Sequence, residues 1–473
     1  MRRFWRWSSK GFIPAEPQPG VASLVSGDAE LGRHDSFLIL PQLWDHHGHV
    51  LAMGALSEEA DLRGARSVEE ALSLVRERAK STPKGSWLLG FGWDHNLWGG
   101  VFPPLAGLDE ASGGHPAYLR RIDGHAAWAN SAALARAGLR DDSADPPGGR
   151  LMRESGRLTG IVMDNAMAQI EAAMPPPEED VLCRRAIEAL RELKALGLCG
   201  VTDMGLCALE AKLFANLDAK DALPIQVRAY LREDPRAWSA TWNHRGKAFR
   251  VEGAKLFCDG SLGSRTAALF EEYADDPENS GLLLLSRANL SEMLAAARRH
   301  GISLAIHAIG DRAAGTILDA IESEASPHNV RIEHCQVIAD GQAERMARLG
   351  VTASVQPCHW LSDKAWAPLR LGEKRMGRAY RLGSLARAGI PVLMGTDFPI
   401  EKPDPRRTIF SALARPEPER LSFGATLASM APPQGAIPPK TVTLAAGAAP
   451  EDLMAPERLL SWTLRQVEVE DFP

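Results

Sequence analysis

The feature that most constrains this chain is a series of eight short apolar runs, at residues 37–40, 199–203, 225–230, 254–257, 303–307, 330–334, 352–356 and 391–397. Most close on a polar residue or a glycine. They lack the clean apolar–polar alternation of a strand with one wet face. The pattern therefore predicts strands covered on both sides, as in a parallel sheet. Helix-like stretches lie between many of them. Residues 186–197 and 290–301 carry apolar positions at helical spacing and end on Gly197 and Gly301, a common helix stop. Alternating strands and helices give an α/β class, and eight strands suit a (β/α)8 TIM-like barrel.

One interval breaks this rhythm. Residues 52–180 are rich in Trp, Gly and Pro and have weaker periodicity, as an inserted α/β domain on the substrate side would. The expected layout is an N-terminal segment of a small β module at 1–36 and a barrel at 37–51 and 181–430. The insert occupies 52–180, and a C-terminal tail at 431–473 returns to the β module. Prolines at 432–433 and 438–439 mark the last boundary.

Composition narrows the function. The chain has 473 residues with 45% hydrophobic and 24% charged, which is a soluble globular profile. A net charge of -6 argues against a phosphate-tracking surface, so no nucleic-acid partner is expected. No run is long enough to span a bilayer, and the basic, aromatic start Met1–Trp7 reads as a surface segment rather than a membrane anchor. The six cysteines are scattered with no C-x-x-C pair, which fits a reducing cytoplasm. The expected partner is a small-molecule substrate; a homodimer is the oligomer considered.

The densest chemistry is Asp45-His46-His47-Gly48-His49. Residues two apart in an extended segment face the same way, so His47 and His49 can reach one ion. His307 and His334 each end an apolar run, and Asp397 ends the last one. Carboxyl ends of barrel strands converge on one face, so these residues form one candidate metal site. Lys255 lies in another run, where a charged amine is costly to bury alone. It either pairs with a carboxylate such as Asp259 or is converted chemically, for instance to a carbamate. Trp93, Trp98 and Trp128 are read equally as a substrate wall or as core of the insert. Asp164-Asn165-Ala166-Met167 reads as a helix start with no catalytic role.

Taken together, the motifs resemble the amidohydrolase superfamily, in its third amidohydrolase family, which includes N-substituted formamide deformylase-like proteins. The resemblance covers about residues 35–415. It rests on the segment from Leu40 to His49, Gly92-Trp93-Asp94-His95, Asp123-Gly124-His125, Gly160-Ile161, Gly200-Val201-Thr202-Asp203, the stretch from Lys255 to Arg265, both later histidine segments and Gly395-Thr396-Asp397. It implies that His47, His49, His307 and His334 are metal ligands and that Lys255 is the carbamylated position. Asp397 would contact the metal and shuttle protons. Asp123-Gly124-His125 and Arg265 would face the substrate. The implied cofactor is a divalent metal, zinc, as one or two ions. Two departures stand out: Pro41-Gln42 replaces the usual Pro-Gly, and the terminal β module looks reduced, with no evident closing strand in the tail.

The reaction so implied is hydrolysis of a C–N bond by metal-activated water. Asp397 takes the water proton, and His125 or Arg265 stabilises the oxyanion. Deamination or ester cleavage on the same site, and a non-catalytic binding or regulatory role on the same scaffold, remain the alternatives.

Overall fold

Eight short segments form the parallel sheet that the apolar runs predict. The computed structural model describes residues 3–8, 11–14, 23–26, 37–40, 42–324, 329–437, 441–446, 456–461 and 463–468. Its central sheet contains β1 (Leu43–Gly48), β2 (Leu198–Leu206), β3 (Gln226–Leu231), β4 (Phe249–Phe257), β5 (Ser303–Ala308), β6 (Val330–His334), β7 (Thr352–Val355) and β8 (Val392–Met394). They are hydrogen-bonded in chain order and all parallel. The sheet closes just past β8, where Asp397 N–H donates to the His47 carbonyl (2.7 Å) and His49 N–H to the Phe398 carbonyl (2.8 Å). The protein is thus a TIM-like α/β barrel with two further sheets.

The helices behave as their periodicity predicts. Glu179–Ala195 precedes β2, and Arg287–His300 precedes β5 and ends on left-handed Gly301. Their apolar faces, including Leu190, Leu193, Leu290 and Leu294, are buried against the barrel core. Each such side chain contributes roughly 1.5–3 kcal/mol.

Two expectations need correction. Residues Phe37–Leu40 are not a barrel strand. They pair antiparallel with Thr441–Ala446 and with Ser23–Ser26 in a separate six-stranded sheet built from both ends of the chain. The true first barrel strand holds Asp45, His46 and His47, polar residues that hide its strand character. The tail also supplies two strands, Thr441–Ala446 and Thr463–Glu468, which pair with each other. The closing element absent from the sequence pattern is therefore present in the fold, and the chain start contributes the strand Arg3–Ser8. Pro41, Pro438 and Pro439 lie outside the described residues.

The third sheet lies between β1 and β2. It runs from Ala60–Asp61 through Leu88–Trp93, Ala117–Arg121, Ala126–Ala129 and Arg157–Asp164 to Gly149–Glu154, parallel across its first three strands and antiparallel beyond. Trp93 and Trp128 are fully buried in its core and Trp98 packs against that core, which decides for the packing role. Among the described residues no helix is long and apolar enough to cross a membrane.

Candidate metal centre

The strand ends bring the histidines to one cavity of about 880 Å³, bounded by the barrel rim and the inserted sheet. Gly48 and Gly395 make the approach feasible. A Cβ on Gly48 would overlap the Phe398 ring, and one on Gly395 would collide with the His47 backbone. The H-G-H and G-T-D motifs thus have a steric cause as well as a chemical one.

His47, His49 and Asp397 form the tightest group, with donor atoms all within 4.8 Å of one another. Asp397 Oδ1 lies 3.0 Å from His49 Nε2 and 3.3 Å from His47 Nε2. The remaining predicted ligands ring this group more loosely. The His334 ring centroid is 4.9 Å from that of His47 and 4.5 Å from that of His307. Two of these residues have left-handed backbone, His334 at φ 74° and Asp397 at φ 58°. Such strain in non-glycine residues concentrates at functional sites.

In three of the barrel rings the other nitrogen is already committed. His47 Nδ1 donates to Glu333 Oε2 (2.6 Å), His334 Nδ1 to Gln356 Oε1 (2.8 Å) and His307 Nε2 to the Gly260 carbonyl (3.1 Å). This leaves His47 Nε2, His334 Nε2 and His307 Nδ1 as acceptors. Outer partners of this kind fix the tautomer of a metal-binding imidazole. Burial is the largest influence on His307 and His334 and holds both well below the ordinary imidazole range, so their lone pairs stay available. Burial opposes the charge on Asp397 too, but His47 and His49 outweigh it and keep this carboxyl well below its usual range. The neutral imidazoles of His307 and His334 near an ionised carboxylate are donors of the kind that a divalent metal takes.

Glu333 was not anticipated. It is fully buried on β6, where it pairs with Arg331 two residues earlier on the same strand face. Arg331 also donates to the His46 carbonyl (2.8 Å) and to Ser354 Oγ (2.7 Å). Burial alone would raise the Glu333 carboxyl, but Arg331 and His47 hold it well below the usual carboxylate range. The signal for it was available: Arg331 and Glu333 alternate in an apolar strand, so both face the barrel interior.

Lys255 is buried on β4, and burial pulls its amine down to about 8. Its Nζ lies 5.1 Å from the Phe257 ring centroid. The alternative of pairing with Asp259 is not realised. Asp259 instead accepts the N–H groups of Ala268 (2.9 Å), Ile309 (3.0 Å) and Gly310 (2.8 Å).

The insert supplies the opposite wall. His125 lines the cavity, with its ring centroid 4.8 Å from that of His307. Its Nδ1 donates to Asp164 Oδ1 (2.8 Å), so Asp164 sits at the site and not merely at a helix start. Asp123 is clasped by Arg121 (2.6 Å), Ser264 Oγ (2.7 Å) and Ser261 Oγ. Burial works against this carboxyl, yet Arg121 and His125 hold it down at about 2. Arg265 does not reach the cavity wall. It is held by Asp275 through Nη2 (3.0 Å) and Nε (3.3 Å). His359 was also unanticipated: it lines the cavity with Nε2 buried, without a hydrogen-bond partner among the described residues, 4.0 Å from Asp397 Oδ2.

The sequence matches the amidohydrolase family over residues 38–446. It is 34% identical to the protein Long After Far-Red 3 of Arabidopsis thaliana, over 82% of this chain and 72% of that one. It is 25% identical to the N-substituted formamide deformylase of Arthrobacter pascens, over 84% and 77% respectively. Among solved structures it resembles a metal-dependent hydrolase of Pyrococcus furiosus, with 29% identity, a TM-score of 0.66, and coverage of 90% of this chain and 93% of that one.

Proposed function

The chain belongs to the amidohydrolase family and is a metal-dependent hydrolase, and from that premise we propose that it cleaves a C–N bond of an amide, formamide or cyclic amide. The observation that carries this reading is the placing of Asp397. One of its oxygens faces His47 and His49 (3.3 and 3.0 Å) and the other lies 4.0 Å from His359 Nε2. A carboxylate so placed can accept a proton on one side of the reacting carbon and release it on the other. An amide needs that return step, because its nitrogen leaves poorly unless protonated. An ester does not.

His47, His49, His307, His334 and Asp397 would hold the metal, and zinc suits these nitrogen and oxygen donors. When bound, the ion supplies a polarised carbonyl contact and a water whose pKa falls from about 15.7 to about 7. Lys255 is the candidate for carbamylation. Burial favours its neutral amine, which can add carbon dioxide and release one proton to give a carboxylate for a second ion.

The chain's own groups carry the remainder. Asp397 takes the proton of the attacking water and delivers it to the leaving nitrogen as the C–N bond breaks. Burial opposes charge on His125, but Asp164 and Asp123 outweigh it and raise the imidazole above its ordinary range. The ring therefore faces the substrate from the insert protonated and donates from Nε2 to the carbonyl oxygen as charge develops there. The N-substituted formamide deformylase relative supports the choice of bond.

Asp397→Asn tests the role directly. Turnover should fall by about 10²–10⁴-fold, the usual worth of a positioned acid–base group, while metal content measured by mass spectrometry persists. Wild-type turnover in that variant removes the assignment. A panel of N-acyl amines, formamides, cyclic amides, esters and amino-heterocycles decides the bond. Turnover confined to esters, or ammonia release from ring amines, replaces the amide reading. Absence of both metal and turnover favours a binding protein.

A further inference from the structure

We propose that Asp164 is a positioning residue for the hydrolytic site, fixing the ring of His125 so that only Nε2 faces the substrate. The inference rests on the hydrolase reading above and adds to it a residue from the inserted sheet.

The register of that sheet sets the pair. Strand Arg157–Asp164 runs antiparallel to Ala126–Ala129, with Met163 opposite Ala126. The next step places Asp164 beside His125, and Asp164 N–H donates to the His125 carbonyl (3.0 Å). The side chains repeat the contact, since His125 Nδ1 donates to Asp164 Oδ1 (2.8 Å). Asp164 therefore grips His125 by backbone and side chain together.

Three observations separate this arrangement from ordinary packing. The Asp164 backbone is left-handed, at φ 47°, a region that side-chain-bearing residues seldom occupy unless held there. Its carboxylate is 1% exposed, and Oδ2 has no hydrogen-bond partner among the described residues. The helix that follows, Met167–Glu171, has no side-chain cap, so the carboxylate is not spent there. A buried carboxylate with one oxygen idle is costly as structure alone. Among the described residues its one side-chain bond is the bond to His125.

Gly260 ties this pair to the barrel. A Cβ there would collide first with the Thr266 side chain and would also come within 2.9 Å of Asp164 Oδ1, so glycine is needed where the loop after β4 meets the carboxylate. The carbonyl of the same glycine accepts from His307 Nε2 (3.1 Å). One residue thus helps to set two rings whose centroids lie 4.8 Å apart. With Nδ1 engaged, His125 offers the cavity a single nitrogen. A third group that orients a catalytic imidazole is the logic of carboxylate–histidine pairs in acyl transfer.

The test uses the metal-loaded full chain labelled with 15N-histidine. Proton–nitrogen correlation spectra of the wild type should show protected Nδ1 protons on His47 and His334, and a further one on His125. The His125 signal should vanish in His125→Gln, which assigns it, and in Asp164→Ala. In kinetics Asp164→Ala should lower kcat about 10–100-fold, within the range of an acid–base contribution, with KM changed less than about threefold. Asp164→Asn keeps an acceptor oxygen, so it should retain the proton signal and recover part of the rate. The double variant His125→Gln/Asp164→Ala should be no slower than His125→Gln alone, because groups acting as a unit are not additive. Persistence of the His125 Nδ1 proton in Asp164→Ala, or in Asp164→Asn its loss if Asp164→Ala does not fold, overturns the proposal. So do rate losses that multiply in the double variant. The spectra need no substrate, so a failure of the C–N reading leaves this result intact and separately readable.

Discussion

The two walls of the cavity hold their polar groups in different ways. On the barrel side, His47, His307 and His334 come from the ends of parallel strands, and one nitrogen of each is tied to Glu333, Gly260 or Gln356. On the insert side, His125, Asp123 and Arg121 come from the antiparallel turn between Ala117–Arg121 and Ala126–Ala129. Arg121 and the serines of the loop after β4 hold that turn in place. The first wall presents lone pairs, and the proposed function gives the substrate contacts to the second. The difference teaches that metal content and substrate handling are separable, because Glu333 and Gln356, which orient His47 and His334, come from the barrel, while Asp164 and Arg121, which hold His125 and Asp123, come from the insert. Changes on the barrel side should act on the ion. Changes on the insert side should act on turnover or local stability with the ion retained.

Arg121→Met should have the largest effect. Arg121 is 1% exposed and pairs with Asp94 and Asp123. Removing one partner of a buried ion pair costs about 3–5 kcal/mol, because the remaining charges lose their compensation. Amide exchange in Leu88–Trp93 and Ala117–Arg121 should accelerate accordingly, with β5 and β6 unaffected and metal content unchanged. Loss of metal in parallel would break the division between the walls.

Glu333→Gln comes next. Glu333 orients His47 through the 2.6 Å contact to Nδ1. Loss of such an outer partner weakens metal affinity about 10–100-fold. Competition with a chelator should show this, while amide exchange in the inserted sheet stays at its wild-type rate. Unaltered affinity would mean that the His47 tautomer is fixed by something other than Glu333.

The two walls also differed in how much their residues disclosed beforehand. The barrel was legible because strands buried on both faces read as apolar runs, and His307, His334 and Asp397 mark where those runs end. Residues Phe37–Leu40 misled because a four-residue apolar run carries no sign of which sheet it joins. Its partner Thr441–Ala446 lies at the other end of the chain, a pairing that local patterns do not encode. Arg331 and Glu333 could have been found from their alternation in β6. Asp164 could not, since its role depends on the register between two strands separated by a turn, a short helix and a hairpin. Asp123-Gly124-His125 was placed at the site only through its resemblance to a known motif.

The smallest effect belongs to Arg265→Ala, and it bears on the oxyanion assignment. The resemblance that drew attention to the loop after β4 also gave Arg265 a substrate-facing role. In the structure both guanidinium contacts go to Asp275, with the side chain 19% exposed. Arg370, which also pairs with Asp275, remains to balance that carboxylate after the change. An arginine outside the cavity wall contributes to turnover only through the shape of its loop. The expected change in kcat/KM is therefore less than about threefold, well short of the 1.36 kcal/mol that one factor of ten represents. A direct oxyanion donor would cost about 10²–10³ in kcat. A loss of that size in Arg265→Ala, with Arg265→Lys partly active, would mean that the loop swings Arg265 inward when substrate binds. The barrel wall would then share the substrate contacts assigned here to His125.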